Sequence, residues 1–303
     1  MKRKTLALRK TEIIQSYAMI LPSTIGLALF VVYPLGWVIR YCLYSYSGIG
    51  SALFVGPYNF FRLFTSSHRY WQAVGNTFIF AIGKLSVELP LALICAVLLT
   101  GSLRGRHLFR SIFFLPSMLS VAVMGIMFYY IFGSFNGVVN EIIRGFGGPR
   151  ISWFTDPKLA MLVLMFASIW QNFGLNMLFF MTGLLSISPE IYDAASIDGA
   201  GSAQKLFRIT IPMLGPVTQV VVLNALLGSL KTADIVLVMT DGRPDGATEL
   251  MMSYIYKQFF SSSYSSGRND YGYASVLVIM TALILGVITF IYLKRSRRGA
   301  EIY

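Results

Sequence analysis

The sequence predicts an all-α integral membrane protein with six transmembrane helices, and three observations carry that prediction. Of 303 residues, 55% are hydrophobic and 13% charged, with a mean hydropathy of +0.65. A soluble domain carries roughly 25% charged residues. Several windows exceed the roughly 20 apolar residues that cross a bilayer. The basic residues gather at the edges of those windows, as expected of segments held on the cytoplasmic face.

Taken in order, the predicted spans cover about 16–40, 74–100, 111–132, 159–185, 213–239 and 272–293. Backbone groups in hydrocarbon must bond within their own segment, so long uncharged runs become helices. The first run, Tyr17 to Ile39, is uncharged and too long for a signal-peptide core, and no small-residue cleavage site follows it, so it reads as a retained helix. Prolines 22, 34, 90, 116 and 216 lie within or at the ends of these spans. An even number of spans puts both termini on one side. Lys2, Arg3, Lys4, Arg9 and Lys10 precede the first span, Arg104, Arg106 and Arg110 lie between the second and third, and Lys294, Arg295, Arg297 and Arg298 follow the sixth. Residues 1–15 therefore read as a basic cytoplasmic N-terminus, 16–293 as the membrane domain and 294–303 as a cytoplasmic tail, an N-in, C-in topology.

The net charge of +12 follows that placement, which points to anionic lipid headgroups and away from nucleic acid. Cys42 and Cys95 lie in or beside apolar segments and form neither a disulfide framework nor a metal site. His68 and His107 stand in loops without a partner at ligand spacing, so no metal and no catalytic residue is assigned. The outer loops, 41–73, 133–158 and 240–271, are rich in Gly, Ser, Asn and aromatics, and Ser261-Ser-Ser-Tyr-Ser-Ser-Gly267 reads as a mobile tip.

The segment between spans four and five, 186–212, is too long for a tight turn and reads as helix–turn–helix. Ser188 suits an N-cap, Pro189 the first helical position, and Glu190 the positive end of the helix dipole. Ile191, Ala194 and Ala195 share a face at i, i+3 and i+4, with Asp198 at i+7, and the alanines there let another backbone approach. Gly199 and Gly201 are read as allowing a left-handed turn. Phe207, Ile209 and Ile211 carry the chain back toward the membrane, and Pro212 starts the next span. An interfacial amphipathic helix is the alternative reading of the same pattern.

Asp193-Ala-Ala195, Asp198-Gly-Ala200, Phe207, Ile209 and Pro212 stand at the spacing of a conserved cytoplasmic loop, so the segment resembles that of binding-protein-dependent ABC importer permeases. That loop is written Glu-Ala-Ala, Gly four residues on, then Ile-x-Leu-Pro. The present sequence departs from it at Asp193, which keeps the charge on a shorter side chain, and at Ile211. Phe54-Val-Gly-Pro-Tyr-Asn-Phe60, Tyr70-Trp-Gln-Ala-Val-Gly-Asn-Thr77, Phe109-Arg-Ser-Ile-Phe-Phe-Leu-Pro116, Asn136-Gly-Val-Val-Asn140, Trp153-Phe-Thr-Asp-Pro157 and Thr240-Asp-Gly-Arg-Pro244 narrow the resemblance to MalF-like carbohydrate permeases. Arg243 stands where Gly is more usual.

The resemblance implies a type I ABC importer permease fold in a prokaryotic inner membrane. It implies a cytoplasmic coupling helix at 188–199, a second permease subunit that is usually a different chain, two cytoplasmic ATPase subunits and an extracellular solute-binding protein. ATP and Mg would sit on the ATPases. Glu190, Asp193, Ala194, Ala195, Asp198, Gly199, Phe207 and Pro212 would carry the coupling. Gly199-Ala-Gly-Ser-Ala-Gln-Lys205 lacks the Gly-Lys-Ser/Thr ending and the preceding strand of a phosphate loop.

Polar residues inside spans mark the candidate solute route, since a charge at mid-bilayer costs about 2.5–3.5 kcal/mol or more. Trp170, Gln171, Asn172 and Asn176 interrupt span four, and Asn224, Lys231 and Asp234 mark span five. Aromatic rings, amides and a charge pair suit hydroxyl-rich sugars; helix-to-helix hydrogen bonds and a Lys231–Asp234 ion pair are the structural alternative. Lys84 and Glu88, at i, i+4 in span two, read as a pair within the bundle. Two other functions are weighed. An ion-coupled secondary transporter needs paired carboxylates near the midplane, against which Glu88 and Asp234 are thin support. An intramembrane enzyme needs a catalytic constellation, and no histidine lies in a span. Import of a non-sugar solute is a further alternative.

Overall fold

The computed structural model describes residues 2–101, 103–260 and 269–300. In chain order, α1 (Lys2–Leu27) runs through a π-helical stretch, Ala28–Val32, into α2 (Tyr33–Tyr41). A two-stranded hairpin, β1 (Tyr44–Ser45) and β2 (Leu53–Phe54), precedes α3 (Tyr58–Ser66) and the long α4 (His68–Thr100). Then come α5 (Arg106–Phe114), α6 (Val121–Ile131), α7 (Val138–Gly145), α8 (Pro157–Leu185) and α9 (Pro189–Ile197). The chain continues with α10 (Ser202–Lys205), α11 (Ile211–Met213), α12 (Gly215–Leu230), α13 (Asp234–Met239), α14 (Met251–Phe260) and α15 (Tyr271–Ala300). The predicted loop tip at Ser261–Gly267 lies outside the described residues.

Among the described residues, four helical stretches are long and apolar enough to cross a membrane: Gln15–Tyr41, His68–Thr100, Pro157–Leu185 and Tyr271–Ser296. Counting each bent pair as one span brings the number to six, Arg106–Met118 with Val121–Ile131 at 99° and Ser202–Met213 with Gly215–Leu230 at 68°. The expectation of continuous helices for spans three and five is thereby corrected. In span three, Leu115–Met118 tightens to a 3₁₀ turn around Pro116, and Leu119 and Ser120 are extended at ψ 143° and 135°. Proline cannot donate to the helical ladder. In span five the bend falls between Pro212 and Pro216, and α12 stops at Leu230 instead of running on to 239. Residues 231–233 interrupt it before α13.

The chain forms two compact units. The first comprises Met1–Ser66 with Gln258–Met280. Its hairpin pairs Tyr44 with Phe54, and the buried Asn59 holds it by donating to the carbonyls of Cys42 (3.1 Å) and Tyr44 (3.0 Å). Burial also pushes the Cys42 thiol up from its ordinary pKa, which keeps it protonated. Arg62 meets Asp270 at 2.6 Å and lies over the Tyr273 ring at 4.2 Å, tying α3 to the start of α15.

The second unit comprises Ser67–Lys257 with Thr281–Tyr303. Its axis is α4 beside α8. Ala92, Ala96 and Leu99 pack against Met177, Phe180 and Leu184, so the two helices end together at Thr100 and Leu185. Lipid tails are as apolar as leucine, so such contacts gain from close packing more than from leaving water. Small residues permit that closeness. A Cβ at Gly174 would run into the Phe113 carbonyl oxygen, and one at Gly125 would meet Val238 and Met239. Asn140 shapes the 133–151 loop by donating to Gly133, Ser134 and Ile151 carbonyls and accepting from the Ile151 N–H.

Candidate functional site: an exposed short helix and a polar cavity

The 186–212 segment is built as its sequence dictates at the start of α9. Ser188 Oγ accepts from the Glu190 N–H at 3.4 Å, Pro189 sits in the first turn and Glu190 beside the positive end of the dipole. At the far end Gly199 adopts φ +77°, its N–H bonding to Ser196 and that of Ala200 to Ala195, which closes the helix. Gly201 does not share that role. It is extended at φ −71°, ψ 166°, and its N–H donates to Gln204 Oε1, starting α10.

The tertiary structure divides the face assigned from spacing. Ala195 is buried, and Ile191 and Tyr192 pack against the core at the ends of α4 and α8. Tyr192 Oη also bonds Thr210 Oγ1 at 3.0 Å, and Lys205 Nζ bonds Ser196 Oγ at 2.5 Å. The outward face carries Glu190, Asp193, Ala194 and Asp198 around Ile197, which is 88% exposed. Three carboxylates thus share the exposed side of the helix with one apolar knob. Phe207 is also exposed, in the π-helical stretch Leu206–Thr210. Pro212 sits just before the 68° bend and does not itself begin the spanning helix, which starts at Gly215.

About midway along α4 lies a cavity of about 460 Å³. Gln171, Asn172, Asn176, Asn224, Lys231 and Asp234 line it, so six of the seven route candidates converge. Trp170 does not join them; its ring packs 5.4 Å from Phe128. A helix advances by about 100° per residue, so Ser168, Asn172 and Asn176 form one stripe and Trp170 points away from it. Ser168 lines the cavity too and was missed, although the spacing of four was readable.

Several of these groups are held by partners. Gln171 Nε2 donates to the Leu119 carbonyl at 3.2 Å, satisfying a group freed by the break in span three. Asn172 Nδ2 donates to Ser168 O at 2.8 Å. Lys231 caps the end of α12 and Asp234 opens α13, so the two no longer share one helix. Both are exposed on the cavity wall, and among the described residues they form no ion pair with each other. Lys84 and Glu88, the pair read as internal to the bundle, also line the cavity at 3.3 Å from one another, nearly or wholly buried.

A helical membrane bundle with an exposed short helix at one end and a polar cavity within it has the build of a transport component. The chain belongs to the family described as binding-protein-dependent transport system inner membrane component, whose model matches residues 88–299. It is similar to the probable ABC transporter permease protein YesP of Bacillus subtilis (strain 168), with 32% identity covering 97% of this chain and 94% of that protein. It is also similar to the lactose transport system permease protein LacF of Rhizobium radiobacter, with 32% identity covering 96% and 98%. Among solved structures, a bacterial ABC transporter involved in import of the acidic polysaccharide alginate has a chain of the same fold. The TM-score is 0.84 at 22% identity, covering 97% of this chain and 99% of that one.

Proposed function

We propose that the chain is the permease subunit of an ATP-driven importer for a sugar or oligosaccharide and forms half of the translocation path. The single observation that carries the proposal is α9. A helix rooted in its own bundle through Ala195 and Tyr192 turns Ile197 outward on a face that also carries Glu190, Asp193 and Asp198. That surface fits a separate ATPase offering an apolar pocket rimmed by basic groups. The helix lies on the ends of α4 and α8, so movement of the ATPases is transmitted as a rigid push on the walls of the cavity. Both termini lie on the ATPase side, in the cytoplasm, as the basic clusters favour. A second permease completes the path, and an extracellular binding protein delivers the solute. ATP and Mg stay on the ATPases, and the chain itself catalyses no reaction.

The lactose permease among its relatives supports sugar as the solute class. The cavity agrees, because its amides, hydroxyls and one charge of each sign on the open wall match a neutral polyhydroxyl solute. Reconstitution of the chain with its permease partner, ATPases and binding protein tests the proposal. ATP-dependent uptake of labelled sugar that disappears without the ATPases is the expected result. Solute movement by the chain alone, driven by an ion gradient, would overturn it in favour of a secondary transporter.

A further inference from the structure

At the end of α4 away from α9, a separate cleft of about 530 Å³ opens between Tyr129, Phe154, Thr155 and residues 238–245. Its two sides differ. Tyr129 and Phe154 stack at 5.3 Å and 25°, forming an apolar wall. Opposite stand Asp241, Arg243 and Asp245, all exposed.

The polar side is fixed in place. Lys257, buried within the unit, takes Asp241 Oδ1 at 3.0 Å, the Asp241 carbonyl at 2.8 Å and the buried Glu249 at 2.8 Å. Thr248 Oγ1 lies 2.8 Å from Thr240 Oγ1 and donates to the Arg243 carbonyl at 2.7 Å. Asn76 on α4 donates to the carbonyls of Gly246 (2.9 Å) and Glu249 (3.1 Å). Asp241 and Asp245 are held at φ +49° and +44°, in the left-handed region that Asp tolerates better than most side chains, which fixes the turn that carries them. A buried ion pair is a poor way to gain stability, and its usual return is a single defined geometry. Here that geometry holds a half-exposed carboxylate across from two aromatic rings.

We propose that this cleft is a second sugar-binding site, which takes one end of an oligosaccharide while the central cavity takes the other. The rings receive the C–H face of a pyranose, Asp241 and Asp245 accept from its hydroxyls, and Arg243 donates to them. The helix α13 joins the two sites, with Asp234 on the cavity wall and Met239 on the cleft wall. From Asp234 to Met239 the helix rises by about 8 Å, a span that a short oligosaccharide bridges and a single sugar does not. The concave shape and pre-set polar groups favour a small ligand over a protein surface, whose contact would be flatter and anchored by larger apolar groups. The inference rests on the sugar-importer reading above.

The test is uptake by the reconstituted importer of labelled glucose-, galactose- and uronate-based oligosaccharides of two to five units, with binding-protein-stimulated ATPase activity recorded in parallel. For Tyr129→Ala and Arg243→Gly, the ratio of pentasaccharide to disaccharide uptake is expected to fall roughly tenfold, the loss of one stacking or charge-assisted contact. An unchanged ratio with wild-type uptake intact overturns the second site and leaves the importer reading standing. Uptake of every length falling together with stimulated ATPase activity also overturns it, and assigns the cleft to docking of the binding protein. Wild-type protein that couples ATPase activity but moves no oligosaccharide in the panel sinks the sugar reading and this site with it.

Discussion

Glu88 on α4 accepts a 2.5 Å hydrogen bond from Asn176 on α8, while its other oxygen lies 3.3 Å from the ammonium of Lys84, one turn earlier. Lys84 also donates to Ser229 Oγ on α12 at 3.2 Å. One ion pair on a single helix therefore reaches both neighbouring helices, at the wall of the central cavity. Charges at this depth are costly unless paired and hydrogen-bonded. The network supplies the countercharge, Asn176 and Ser229 each supply one hydrogen bond, and Glu88 Oε2 faces the ammonium with no hydrogen-bond donor of its own.

Removal of Glu88 by Glu88→Ala leaves Lys84 buried without its anion and is expected to destabilise the protein by about 3–5 kcal/mol. The double change Lys84→Ala with Glu88→Ala is expected to cost well under the sum of Glu88→Ala and Lys84→Ala alone. Thermal unfolding of the purified protein in detergent measures the cycle. Strictly additive losses would show that the two groups do not act as a pair.

The two faces of α9 separate stability from docking. Ile197→Asp changes an exposed knob, so folding and yield are expected to hold while ATPase co-purification falls at least tenfold, a loss of about 1.4 kcal/mol or more. Ala195→Asp places a charge against the bundle and is expected to lower the yield of folded protein before any partner is added. Retained ATPase binding in Ile197→Asp would move the contact to another face.

Gly199 has open space around the position a Cβ would take, so its requirement is conformational and not steric. Gly199→Asn, which tolerates the left-handed region, is expected to keep most ATPase association, whereas Gly199→Val is expected to lose it, at a cost of about 1–2 kcal/mol in the turn. Equal behaviour of the two variants in co-purification would remove the conformational argument.

Two glycines of the bundle are predicted to behave in opposite ways. A Cβ at Gly174 meets the Phe113 backbone, which cannot swing aside, so Gly174→Ala is expected to cost at least about 1–3 kcal/mol through overpacking. Gly228 faces the central cavity with nothing near its Cβ position. Gly228→Leu is expected to leave the melting temperature close to wild type while cutting solute uptake severalfold by filling the path. Normal uptake in Gly228→Leu would argue that solute passes elsewhere.

Much of the molecule was legible from the chain. Runs of apolar residues fixed the spans because backbone groups in lipid have no partners outside their own helix, and that constraint acts through local sequence. Ser188, Pro189 and Glu190 fixed the start of α9 for an equally local reason, the unmet N–H groups of a helix terminus. The short segments that carry the family resemblance were visible too, though several hold loops in shape: Asn59, Asn140 and Asn76 each donate to backbone carbonyls of loops and turns.

What the sequence could not supply was the direction in which a residue faces a neighbour distant along the chain. Periodicity placed Ile191, Ala194 and Ala195 on one side of a helix, but only packing of α9 on α4 and α8 decided that Ala195 turns inward and Ile197 outward. Spacing put Lys231 and Asp234 on one span, but the break after Leu230 set them on different elements, because a backbone interruption can sit beside a cavity and not against lipid. The sequence determined where the apolar spans run and where the short helix between spans four and five lies. The tertiary structure decided which polar side chains meet, since such meetings depend on contacts between residues scores of positions apart.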